Sequence, residues 1–147
     1  FHATGSLVEA AEESQFKLTQ SQLETLLKDA NALYSQAEKT ADVEGAKTQV
    51  AEKNKLYAAA AEKYQLLVDA SVRNSDLYTN LGNAYFQSNQ LGRAIVNYER
   101  ARVIDPGNRQ ATRNLAAAEI KLSAAPENAI SLNTFTRRAT QVQPRCL

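Results

Sequence analysis

Between Ser75 and Asn108 the chain reads SDLYTNLGNAYFQSNQLGRAIVNYERARVIDPGN, and this run limits the fold more than any other feature. Tyr78, Leu81, Ala84 and Tyr85 recur at helical spacing, so they share one helix face. Ala94, Tyr98 and Ala101 do the same in the next segment. Gly82 and Ala94 carry almost no side chain, so two helix backbones can approach closely there, and the rings of Tyr78, Tyr85 and Tyr98 fill the space on either side. Ser75 predicts the N-cap of the first helix, and Asn89 suits the left-handed residue that ends it. Asp105-Pro106-Gly107-Asn108 stops the second helix with a dense turn signal. The run therefore predicts a tightly packed helical hairpin.

With Tyr78, Leu81-Gly82, Tyr85, Ala94, Tyr98 and Pro106 in place, and Ala101 as a further small residue, the segment resembles the tetratricopeptide repeat, a unit of about 34 residues. The resemblance implies stacked helix pairs that bind other proteins and carry no chemistry of their own. One period upstream, Ala60, Tyr64 and Leu67 stand opposite Ala94, Tyr98 and Ala101, which makes Lys55–Ala70 the second helix of a preceding repeat. Lys47 and Thr48 fall where Leu81 and Gly82 would be required. The first helix is found instead at Leu27–Tyr34, where Ala30-Asn31-Ala32 echoes Gly82-Asn83-Ala84. An insertion of about 18 residues, on the order of five helical turns, therefore separates the two.

The inserted stretch, Ala37–Asn54, is rich in helix-forming Ala, Glu, Lys and Gln and contains no proline. It predicts an elongated hairpin, Ser21–Lys39 and Gly45–Ser71, turning near Thr40–Gly45, with Val50 and Tyr57 on one side. Ser21 and Glu24 are placed for a capping box. After Pro106, the spacing of Ala111, Leu115, Ala118 and Leu122 predicts one more helix over Asn108–Ser123, closed by Pro126. Its outer side carries Ala116, Ala117 and Ile120, and it would shield the last layer. The expected architecture is all-α: an antiparallel helix-pair solenoid of about two repeats plus a terminal capping helix, with the first hairpin elongated. It would occupy residues 18–124, between a poorly ordered lead-in (1–17) and a tail or linker (125–147).

Composition narrows the function. A net charge of +1 gives no reason to expect nucleic acid or an anionic membrane as partner. The halves differ in kind: lysine with an acidic excess before Asn74, and mostly arginine after it. No apolar run is long enough to span a bilayer. The absence of methionine, even at residue 1, suggests a processed piece of a longer protein. His2 is the single histidine and Cys146 the single cysteine, both near the ends, so no catalytic residues, metal or cofactor are expected. Tyr64, Tyr78, Tyr85 and Tyr98 are assigned to packing.

The resemblance also implies where a partner would bind. In tetratricopeptide repeats the first helix of each pair lines a concave groove for an extended peptide or a partner helix. Carried over, the groove would present Leu27, Asn31 and Tyr34, then Asp76, Thr79, Asn80, Asn83, Phe86 and Gln87. The last helix would add Gln110, Arg113, Asn114, Ala117 and Lys121. Asparagine suits such a surface because one amide can pair with both a peptide C=O and an N–H; alternatively, Asn31 and Asn83 satisfy local groups only. One subgroup clamps a terminal carboxylate with basic side chains and asparagines. Asn31 and Asn80 match its asparagines, but Leu27, Gln110 and Asn114 hold the basic places. Lys28, Arg109 and Arg113 are each displaced by one residue, which is about 100° around a helix. Leu77–Asn108 is also similar to the repeat of bacterial exported proteins encoded with aerotolerance operons. That implies an extracytoplasmic, periplasmic setting, with attachment to a membrane protein through a segment not present.

The sequence thus favours an adaptor or scaffold binding a protein or peptide partner. The alternatives are a homo-oligomeric, self-assembling scaffold joined through the terminal helix and elongated hairpin, or a regulatory domain of a larger protein.

Overall fold

A computed structural model describes residues 17–40 and 47–125. The expected lead-in, most of the Thr40–Gly45 turn, Pro126 and the tail lie outside the described residues, as do His2 and Cys146. Within them run α1 (Gln20–Lys39), α2 (Lys47–Asp69), α3 (Ser75–Gln87), α4 (Leu91–Ile104) and α5 (Arg109–Ser123). No strand occurs among the described residues, and none of these helices is long and apolar enough to cross a membrane.

Each helix packs on the next along the chain, and α3 also touches α5. Short links force antiparallel neighbours, giving the hairpin pairs α1/α2 and α3/α4 with α5 laid against the second pair. The core is one continuous seam of small and aromatic residues: Ala30, Ala60 and Tyr64 in the first pair, Leu81, Ala84, Ala94 and Tyr98 in the second, and Ala111, Leu115 and Ala118 beneath α5. Alanine lets the helices approach closely, while the rings supply most of the buried area. Full burial of a single Leu such as Leu81 contributes about 1.5–3 kcal/mol.

The elongation is real and helical. α1 and α2 have 20 and 23 residues, against 13 and 14 in α3 and α4. Most of the excess lies in α2, which starts ten residues before Tyr57, the counterpart of Leu91 at the start of α4. Tyr57 is buried and meets Tyr34 edge-on, ring centroids 5.0 Å apart, anchoring the base of the extension. Val50 does not join it on a packed face; it is 55% exposed. Seven residues is two turns, but the partner helix α1 ends too early to cover it.

The helix ends correct two local expectations. Thr19, not Ser21, caps α1, and its capping box closes with Gln22 rather than Glu24. Asn74, not Ser75, caps α3, accepting from the Leu77 N–H at 2.7 Å. Ser75 is buried one residue further on, where its hydroxyl donates to the Ala101 carbonyl at 3.0 Å. Asn108 caps α5 in the manner of Asn74, accepting from Ala111 N–H at 2.9 Å. Asn89 adopts the expected left-handed conformation (φ 62°). The Gln90 and Asn89 amides bond back to Tyr85 and Phe86, forming a Schellman turn. Ser71 ends α2 the same way, unannounced by any glycine or asparagine at that place.

Candidate functional site

The helices expected to line a groove are α1, α3 and α5, and a repeated hydrogen bond fixes how they correspond. The Tyr98 hydroxyl donates to Asn83 Oδ1 at 2.9 Å, and the Tyr64 hydroxyl donates to Asn31 Oδ1 at 2.6 Å. The same bond thus joins the two helices of each pair. The residue separations, 15 and 33, differ by 18, so the insertion lies between the bonded partners. α5 is tied into the same network, since Asn114 Nδ2 donates to Asn83 Oδ1 at 2.7 Å.

From this register, Asn31 matches Asn83, and Tyr34 matches Phe86. One repeat period beyond Phe86 stands Ile120, which had been placed on the outer side of α5. It is 69% exposed, and by repeat period it continues the apolar series of Tyr34 and Phe86. Spacing alone could have found it. Lys121 sets its ammonium 4.9 Å from the centroid of the Phe86 ring. Gln87 is exposed at the C-terminal end of α3.

The phenols under this surface stay protonated. Burial, then Tyr57 and Glu38, push Tyr34 from the ordinary 10.0 up to about 12. Burial and the Glu38 carboxylate likewise push Tyr64 up to about 12. Burial raises Tyr98 further, with a smaller contribution from Tyr34, while Asn114 opposes the rise. A neutral phenol donates its proton, so the oxygens of Asn31 and Asn83 are occupied as acceptors. Their amide nitrogens have no partner among the described residues, and no buried side-chain nitrogen or oxygen there lacks one. Those nitrogens therefore face solvent.

The other expected groove residues are placed as follows. Asp76 is exposed in the first turn of α3, where the helix dipole favours a carboxylate. Asn80 is half-buried, and Gln110 and Arg113 are exposed on α5. Thr79 departs from the expectation. It is 2% exposed, donates to the Ser75 carbonyl at 2.8 Å and accepts from Asn108 Nδ2 at 3.0 Å. Its hydroxyl serves the α3–α5 joint and offers nothing to the surface. No group of three His, Cys, Asp or Glu side chains among the described residues could hold a metal ion.

The surface therefore carries fixed amide donors, partly exposed apolar side chains and flanking charges.

No curated protein matches the chain. The family model of the tetratricopeptide repeat matches residues 75–108, the span of α3, α4 and the turn before α5. Repeats of this family are in general protein–protein interaction modules. Residues 75–108 are thus a tetratricopeptide repeat, and the all-helical solenoid and the recurring Asn–Tyr bond are consistent with repeat packing on either side of it.

Proposed function

We propose that this chain is a non-catalytic adaptor that binds an extended peptide or a helix of a partner protein across α1, α3 and α5. The observation that carries the reading is the orientation of Asn31 and Asn83. Both turn a nitrogen to solvent because a buried phenol holds the oxygen, so no ligand has to order these side chains. Pre-organised polar groups beside apolar anchors are what peptide capture requires. Tyr34, Phe86 and Ile120 supply the anchors.

Random-peptide phage panning tests it. The wild-type chain enriches a peptide motif, Phe86→Ala with Gln87→Ala abolishes the enrichment, and Val103→Ser, on the far side of α4, leaves it unchanged. Enrichment that survives the groove variant but not the α4 variant transfers binding to the other face.

A second reading, self-association, is favoured by one observation. Val96, Val103 and Ile104 leave apolar surface on α4, with Val103 81% exposed. Apolar surface of this kind often marks an interface. Light scattering over a concentration series separates the readings, since a mass that stays monomeric removes the second.

A further inference from the structure

Building on the adaptor reading, we infer that the α3–α5 half of the groove recognises an acidic side chain, Asp or Glu, of the bound segment. Asn83 supplies the first reason. Its oxygen accepts from both Tyr98 and Asn114, so only its nitrogen is left for a ligand, and it can act there only as a donor. The second is the charge around it. Lys121 is held over the Phe86 ring one helix turn along, and Arg113 is exposed one residue before Asn114. Neither cation has an ion pair among the described residues; the salt bridges Lys63–Asp29 and Arg102–Glu99 lie on other side chains.

Acidic groups are scarce on this side. α5 carries one carboxylate, Glu119, two residues from Lys121 and so about 200° around the helix. α3 carries only Asp76, two turns before Asn83 and about 10 Å along the axis. The anionic groups near the groove, Glu38 and Glu24, belong to α1, at the opposite edge. A charge gradient across the groove follows, and it seats the acidic residue of the segment between Lys121 and Arg113, with its carboxylate on Asn83 Nδ2. Charge-assisted bonds of this kind are about twice as strong as neutral ones.

The test uses an array of short peptides blocked at both ends, so that no terminal carboxylate is present. Leucine anchors alternate with Asp/Glu, with Asn/Gln or with Lys/Arg. The full chain is expected to retain the acidic set about tenfold better than either other set. Asn83→Asp keeps an oxygen for Tyr98 and Asn114 but replaces the outward donor with an acceptor. It should lose the acidic set while melting at the wild-type temperature. Lys121→Glu, at an exposed site, should shift retention toward the basic set. Equal retention of all sets, abolished by Phe86→Ala, overturns the acidic preference and leaves the groove reading standing. Retention indifferent to Phe86→Ala, or no retention of any set, overturns both.

Discussion

Gly82 lies directly beneath the ring of Tyr98: a Cβ at Gly82 would stand 2.6 Å from Tyr98 Cε1 and 2.7 Å from Cδ1. The close approach in α3/α4 is thus between one helix backbone and an aromatic ring, not primarily between Gly82 and Ala94. Tyr98 is almost fully buried and bonded to Asn83, so the ring cannot swing away cheaply.

Gly82→Ala should therefore destabilise the chain. In an exposed helix the change would gain about 1 kcal/mol, but overpacking costs about 1–3 kcal/mol, and the displaced ring also strains its hydrogen bond. Gly82→Leu should be worse. Urea unfolding midpoints give the answer, and a Gly82→Ala midpoint at or above wild type would mean the ring has room to move.

Tyr98→Phe and Tyr64→Phe remove equivalent hydroxyls, yet their costs should differ. A typical net hydrogen bond is worth about 0.5–1.5 kcal/mol. Asn83 is half-buried and links three helices, whereas Asn31 is exposed and water can replace its lost partner. The Tyr98 variant should fall at the upper end of that range and the Tyr64 variant at the lower end. A reversed order in denaturant melts would contradict this account.

Alkaline pH should unfold the chain from pH 10 upward. Tyr34 and Tyr64 have folded-state values raised from 10.0 to about 12, and Tyr98 lies higher. The folded state holds these protons more tightly, so its advantage is complete below pH 10 and is lost as the pH climbs toward and past 12. Site-resolved NMR of carbon-labelled tyrosine, read beside circular dichroism, should find these three phenols ionising together with helix loss. Ionisation of all three near 10 with helicity intact would falsify the burial argument.

The elongated hairpin should be dispensable for the fold. Replacing residues 36–56 by Ser-Asn-Gln, the link between α3 and α4, restores an ordinary repeat and leaves Tyr57, Tyr64 and Asn31 in place. Cooperative thermal unfolding should persist. In the intact chain, amide exchange should slow progressively from Lys47 toward Tyr57, because Val50 is exposed and Tyr57 is packed. Collapse of the shortened chain to a molten state would show that the extension holds the first pair together.

The helix count, the pairing, the insertion and its helical nature were all legible in the sequence. Spacing of three and four residues survives any detail of packing, and the match between Tyr64 and Tyr98 reports the repeat directly. Caps were harder to place. Ser75 and Asn74 are adjacent and equally able to bond a helix amide; what separates them is that Ser75 is claimed by the Ala101 carbonyl and Asn108, partners 26 and 33 residues away. Ile120 was missed for another reason: it falls off the Ala111, Leu115 and Ala118 spacing, which invited an outer-face assignment, although the repeat period aligns it with Phe86.

By itself the sequence determined which residues form helices and which of them stack as repeats, because those properties depend on neighbours within two turns. Only the tertiary structure decided what the polar side chains do. Asn31 and Asn83 could have offered oxygen or nitrogen to a ligand, and Thr79 could have faced the groove. Each was settled by a hydroxyl or amide from another helix, brought within 3.0 Å by packing of the apolar seam. A side-chain amide has two unlike ends, and which end meets solvent is fixed by whatever reaches the other.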